Sequence, residues 1–116
     1  MTPIDQYIFS KPVRLREVLD FLNEHILLFD TRIHATLKWK VPYYSGKGML
    51  CYLNVTKDEK VELNYAKGFL FHSDVKSLIE FRGRTVVGGL VYTDLSEINL
   101  DVLNVTLAEA IRIDNV

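Results

Sequence analysis

Two stretches of the chain repeat apolar residues with the spacing of a helix. Between Val13 and Phe29 an apolar residue recurs every three or four positions, which predicts an amphipathic helix with one buried face. Ser10 is a candidate N-cap for this helix, and Pro12 is tolerated in its first turn. A second apolar stripe occupies residues 100–113, where Asn99 is the candidate N-cap of a closing helix.

Between these two helices the apolar residues alternate with polar ones, as they do in strands. Residues 37–41 predict a strand that Pro42 ends, and the glycine-bearing residues 45–48 supply the turn that follows. Two further alternating stretches, residues 49–56 and Val61–Tyr65, are joined by a short polar segment and predict a β-hairpin.

The segment after this hairpin has a weaker pattern. Residues 66–84 predict a loop with a short helix over residues 73–81 that Ser73 caps, and residues 84–93 predict a further strand. Gly88 and Gly89 interrupt that strand, which indicates a bulge or the close approach of another backbone.

The order of elements is therefore a helix, at least three mostly antiparallel strands, and a helix. Short connections favour antiparallel neighbours, and two helices with single apolar stripes are buried most simply on one face of a sheet. The predicted fold is an α+β two-layer sandwich with the N- and C-terminal helices packed on one face of the sheet. No internal repeat or linker divides the chain, so residues 1–116 are predicted to form a single domain.

Composition narrows the classes of partner and the compartment. Fourteen basic and fifteen acidic residues give a formal net charge of −1, which disfavours nucleic acid and anionic membranes as partners. Cys51 is the only cysteine, so neither an intrachain disulfide nor a multi-cysteine zinc site is expected. Residues 1–9 lack the pattern of a signal peptide, and no later run of residues would span a bilayer. We therefore predict a cytoplasmic protein.

Several segments together resemble the YdhG-like family. The strongest is Trp39-Lys40-Val41-Pro42-Tyr43-Tyr44, which is similar to the family's signature of Trp, two residues, Pro, one residue and Tyr. Val61–Tyr65 followed by Lys67-Gly68 resembles the family's strand and basic-Gly turn, whereas Ala35 stands where the family often carries an acidic residue. The resemblance implies a frataxin-like sandwich and, as for some members of the family, an iron chaperone.

An acidic ridge lies on the first predicted helix. Glu17, Asp20 and Glu24 occupy positions i, i+3 and i+7, on a face nearly opposite the apolar stripe. Hard cations prefer oxygen ligands, so this ridge is a candidate site for weakly bound iron or another divalent cation. The alternative is a solvated helix face that Arg14 and Arg16 partly neutralise.

Aromatic residues cluster beside the glycine-bearing turn. Trp39, Tyr43 and Tyr44 flank Pro42, and amphipathic aromatics at such a turn are candidates for lining a ligand pocket or anchoring a partner. Trp39 alternates onto the apolar face and is predicted to lie in the core. In an extended chain the two tyrosines point to opposite sides, so one of them is expected at the surface.

No constellation of titratable residues specifies catalysis, so we predict a non-enzymatic binding domain. Two interpretations stay open. The first is a frataxin-like metal-handling protein or small-ligand binder. The second is a protein–protein adaptor that uses residues 43–48, or a homodimer formed through the strand at Gly88 and Gly89 or through Phe69-Leu70-Phe71. An enzyme of unknown reaction is the remaining alternative.

Overall fold

A computed structural model describes residues 1–115 as a layer of helices packed on a five-stranded sheet. The helices are α1 (Pro3–Phe9), α2 (Val13–Phe29), α3 (Ser73–Lys76) and α4 (Leu100–Asp114). The strands are β1 (His34–Lys38), β2 (Val41–Ser45), β3 (Met49–Val55), β4 (Val61–Tyr65) and β5 (Gly88–Tyr92). Short 3-10 helices occupy Gly68–Leu70 and Leu95–Glu97. None of the helices within the described residues is long and apolar enough to cross a membrane.

The sheet is an antiparallel meander. Its strands follow one another in the order β1-β2-β3-β4-β5, and each pairs antiparallel with the next. The predicted hairpin is confirmed as β3 and β4, with Leu53 opposite Leu63. This order leaves β1 and β5 at the two edges of the sheet.

Both long helices cover the same face of the sheet. Tyr44, Cys51 and Tyr65 form one cross-strand row on that face, and all three are fully buried. The Tyr44 hydroxyl donates to Asn23 Oδ1 of α2 at 2.6 Å, whereas the Tyr65 hydroxyl lies 2.7 Å from Thr106 Oγ1 of α4. One row of the sheet therefore touches both helices, and the predicted α+β sandwich is confirmed.

The N-terminal helix α1 is a feature that the sequence analysis missed. Thr2 and Asp5 form a capping box, in which the Thr2 hydroxyl accepts from the Asp5 amide and the Asp5 carboxylate accepts from the Thr2 amide. Ser10 ends α1 instead of starting α2, so its prediction as the N-cap of α2 was wrong. Ile4 and Ile8 of α1 are buried in the core beneath β1 and β2.

The predicted strand over residues 37–41 is instead a tight hairpin. Trp39 and Lys40 have φ angles of 50° and 66°, which is left-handed backbone, and they connect β1 to β2 as a two-residue turn. Pro42 does not end the sheet, because β2 includes it. The prediction failed because neither turn residue is Gly, Asn or Asp, the residues that normally mark such a turn.

The segment between β4 and α4 agrees with the sequence only in part. Helix α3 is shorter than predicted and follows His72 as N-cap, while β5 covers five residues of the predicted strand. The close approach expected at the two glycines is confirmed, since a Cβ atom on Gly89 would lie 2.3 Å from the carbonyl oxygen of Leu63. Asn99 caps α4 by accepting from the Val102 amide, as predicted.

Candidate functional site

A groove of about 930 Å³ lies between the free edge of β1 and the two N-terminal helices. Its lining is mostly apolar, with a few polar groups, which is the usual character of a binding site. The lining residues are Thr2, Pro3, Ile4, Asp5, Asn23, Leu27, Ile33, His34, Ala35, Thr36 and Leu37.

The backbone of β1 offers unpaired hydrogen-bonding groups to this groove. Leu37 lies opposite Pro42, and a proline has no amide hydrogen, so this pair cannot exchange both ladder hydrogen bonds. Bonded and non-bonded pairs alternate in an antiparallel ladder. The amides and carbonyls of Ala35 and Leu37 therefore point away from β2, toward the open edge, where the structure of residues 1–115 places no further strand.

The side chains of the same two residues point toward the helices. Ala35 is opposite Tyr44, whose ring contacts α2, so Ala35 and Leu37 project from the helix-covered face. Leu37 keeps 40% of its surface exposed and forms an apolar wall of the groove. Thr36 and Lys38 project from the opposite, helix-free face of the sheet. An extended chain added to β1 would thus meet an apolar side and a polar side.

The hairpin tip next to the groove exposes Trp39. This side chain is 72% exposed, so the prediction that it lies in the core was wrong. The left-handed turn takes Trp39 out of the strand alternation on which that prediction relied. Its ring meets Tyr43 edge-on at 5.5 Å between centroids, and Lys38 Nζ lies 4.8 Å from its centroid.

Tyr43 and Tyr44 point to opposite faces, as predicted, but both are buried. Tyr44 is enclosed by the helices, and burial raises the pKa of its hydroxyl well above the ordinary value. Tyr43 is only 7% exposed because Tyr52 stacks on it at 5.0 Å and Trp39 covers its edge. The expectation of one surface tyrosine was therefore wrong. Of the three aromatic candidates, the structure leaves only Trp39 accessible to a partner.

A polar cluster occupies the other end of the helix-free face. Glu62 is 8% exposed, accepts from Asn54 Nδ2 at 3.0 Å and pairs with Arg82. Arg84 Nη2 donates to Asn64 Oδ1 at 3.1 Å. No buried side-chain nitrogen or oxygen of residues 1–115 lacks a partner. This cluster ties the segment before β5 to the sheet.

The glycine-bearing turn, predicted as part of a binding region, is already filled by the chain itself. The Asp114 carboxylate at the end of α4 accepts from the amides of Lys47 and Gly48 at 2.7 and 2.8 Å. These are the donors that an external anion would need. The turn therefore fastens α4 to the sheet.

The acidic ridge lies in solvent. Glu17, Asp20 and Glu24 are all exposed along α2. Within the described part of the chain no three His, Cys, Asp or Glu residues are grouped so that they could hold a metal ion. The iron hypothesis for this ridge gains no geometric support and stays a prediction.

No known protein family, curated protein or solved structure matches this chain. The resemblance to the YdhG-like family therefore stays a prediction that rests on its short motifs, and the candidate site rests on the geometry alone.

One part of the chain is basic although the net charge of the whole chain is close to zero. Residues 31–57 carry five Lys or Arg residues and no Asp or Glu, although the whole chain has a net charge of −1. Arg32 is paired with Asp30 at 2.7 Å, but Lys38 and Lys40 are exposed and form no ion pair among residues 1–115. The acid-free run was visible in the sequence, whereas the position of Lys38 on an edge strand was not.

Proposed function

We propose that this domain is a protein-binding adaptor that captures an extended segment of a partner by adding a strand to β1. The observation that carries the proposal is the coincidence of two features at one edge: outward backbone groups at Ala35 and Leu37, and an apolar groove beside them. Strand addition uses both, because the backbone gives affinity and pockets for alternate side chains give specificity.

The geometry sets the length and pattern of the bound segment. β1 has five residues, so at about 3.3 Å per residue it offers about 17 Å of edge. A bound segment of about five residues would place every second side chain in the groove, against Leu37 and Leu27. We expect these side chains to be apolar, since Ile4, Leu27 and Leu37 present carbon to them.

The test begins with selection from a phage-displayed library of random linear peptides. Enriched sequences should carry apolar residues at every second position. One enriched peptide is then synthesised with a single N-methyl group at each amide in turn. Methylation should weaken binding by about tenfold or more at alternate positions only, since every second amide of an added strand bonds to β1. Uniform loss, or none, would contradict strand addition.

Two variants at one position separate the backbone from the side chain. Leu37→Ala keeps the outward amide and removes only the apolar wall, whereas Leu37→Pro also removes the amide and places a ring at the edge. Binding should fall moderately in Leu37→Ala and be lost in Leu37→Pro. Equal binding by these two variants would instead favour a ligand that fills the groove without pairing with the strand.

A second copy of the chain is the competing occupant of the edge. Analytical ultracentrifugation of the wild type at increasing concentration tests it directly. We expect a monomer. A dimer that Leu37→Pro dissociates would assign β1 to self-association and overturn the adaptor proposal.

A further inference from the structure

The edge strand carries basic residues on the side that faces away from the groove. Lys38 of β1 points to the helix-free side together with His34 and Thr36, and Lys40 follows in the turn. The Lys38 and Lys40 ammonium groups are exposed and have no carboxylate within ion-pair distance in residues 1–115. The nearest acidic residue of the groove, Asp5, is on the other side of β1 and accepts from the Thr2 amide.

We infer that the segment captured by β1 is acidic, with Asp or Glu alternating with the apolar residues that enter the groove. This inference rests on the proposed strand addition at β1. In an added strand the side chains that do not enter the groove emerge on the side of Thr36 and Lys38. Opposite charges facing one another across neighbouring strands are stabilising, and like charges are destabilising.

The same arrangement opposes pairing of β1 with a second copy of itself. If Ala35 and Leu37 of one copy bonded to Leu37 and Ala35 of the other, each Lys38 would lie beside the second copy's His34. The flanking Lys40 and Arg32 would also be brought together. Each Lys38 would thus face His34 and not a carboxylate, whereas an acidic segment would neutralise it.

Three labelled peptides of the same length and valine pattern test the inference by fluorescence polarisation. Each has valine at every second position, with glutamate, glutamine or lysine between the valines. The glutamate peptide should bind about fivefold more tightly than the glutamine peptide, as expected for two exposed ion pairs, and the lysine peptide should bind weakest. Added salt should reduce the advantage of glutamate over glutamine.

Charge-removal variants locate the effect. Lys38→Gln combined with Lys40→Gln should abolish the difference in affinity between the glutamate and glutamine peptides. Lys67→Gln combined with Lys76→Gln makes the same change of charge beyond β4, away from β1, and should preserve the difference. If this control variant also loses the difference in affinity between the two peptides, the net charge of the protein, and not the edge strand, causes the preference for acidic peptides.

The outcomes distinguish the two proposals. If all three peptides bind equally and Leu37→Pro releases them, strand addition stands and the acidic preference is overturned. If none binds and the phage selection also yields no edge-dependent peptide, both proposals fail. If single-stranded oligothymidine displaces the glutamate peptide and loses its own binding in the Lys38 and Lys40 variant, the basic strand serves nucleic acid and the inference is overturned.

Discussion

Leu37 lies directly opposite Pro42 in the ladder between β1 and β2. Because Pro42 has no amide hydrogen, the ladder bonds fall on the neighbouring pairs, such as Thr36 with Tyr43. The two-residue turn at Trp39 and Lys40 and the proline in β2 thus agree on which backbone groups of β1 remain free at the edge. We call this alternation of bonded and non-bonded pairs the phase of the ladder, and the binding function that we propose depends on it.

The phase predicts opposite tolerance to proline at adjacent positions of β1. Thr36→Pro removes a ladder hydrogen bond to Tyr43, whereas Leu37→Pro removes none. Thr36→Pro should therefore lower the unfolding free energy by about 1–3 kcal/mol more than Leu37→Pro does. Urea denaturation of both variants measures the difference. Equal losses, or a greater loss in Leu37→Pro, would show that the ladder has the other phase.

The contact at Gly89 predicts a position that accepts no side chain. A Cβ atom there would lie 2.3 Å from the Leu63 carbonyl oxygen and 2.8 Å from Asn64 Oδ1. Gly89→Ala should therefore lower the unfolding free energy by about 1–3 kcal/mol, because β4 and β5 must separate to admit the methyl group.

Gly48→Ala is the matched control for this prediction. A Cβ atom on Gly48 would meet only Asp114 Oδ1, at 3.4 Å, which is an ordinary contact. Its stability should be unchanged or slightly raised, since alanine restricts the unfolded chain. Thermal unfolding followed by circular dichroism compares the two variants, and a similar loss in both would contradict the argument.

The turn at Trp39 and Lys40 predicts that glycine has opposite effects on stability in the turn and in the strand before it. Lys40 has a φ of 66°, which costs a non-glycine residue about 1 kcal/mol, so Lys40→Gly should raise the unfolding free energy by about that amount. Lys38→Gly lies in the strand, where glycine is unfavourable, and should lower it by about 0.5–1 kcal/mol. Chemical denaturation that gives both variants the same sign would contradict the left-handed turn.

Glu109 predicts a pH dependence of stability. Arg112 donates two hydrogen bonds to its carboxylate, at 2.7 and 3.1 Å, and the His72 amide donates a third, at 2.6 Å. These bonds lower the pKa of Glu109 from 4.5 to about 2. Glu109 therefore stabilises the fold fully above pH 4.5, and this contribution is lost as the pH falls toward about 2.

Glu109→Gln tests this window. The variant should be less stable than the wild type above pH 4.5, and the gap should close as the pH falls toward about 2, since the wild-type carboxylate is then protonated. Arg112→Gln should also reduce the pH dependence of stability in this range, because it removes the main cause of the lowered Glu109 pKa. Urea denaturation of the wild type and both variants across this pH range measures their unfolding free energies. A gap that does not change with pH would contradict the assignment.

The sequence by itself determined the elements whose period reports burial. The apolar stripe of α2 and the alternation in β3 and β4 were readable because each side chain there faces either the apolar core or a polar side, and that choice repeats with the local geometry. The α+β class follows from these elements, since one-sided helices and strands must cover each other. The capping box at Thr2 is also in the sequence, but the seven residues of α1 are too few to show a repeating apolar stripe.

Only the tertiary structure decided where the candidate site lies. Trp39 and Lys40 alternate like strand residues, and nothing local distinguishes them from a strand until β1 and β2 fold against each other. The order of strands makes β1 an edge, and the packing of α1 beneath it forms the groove. These relationships join residues that are far apart in the chain, so local periodicity carries no record of them. The sequence thus set the burial pattern of α2, β3 and β4, while long-range packing set which backbone groups were left free.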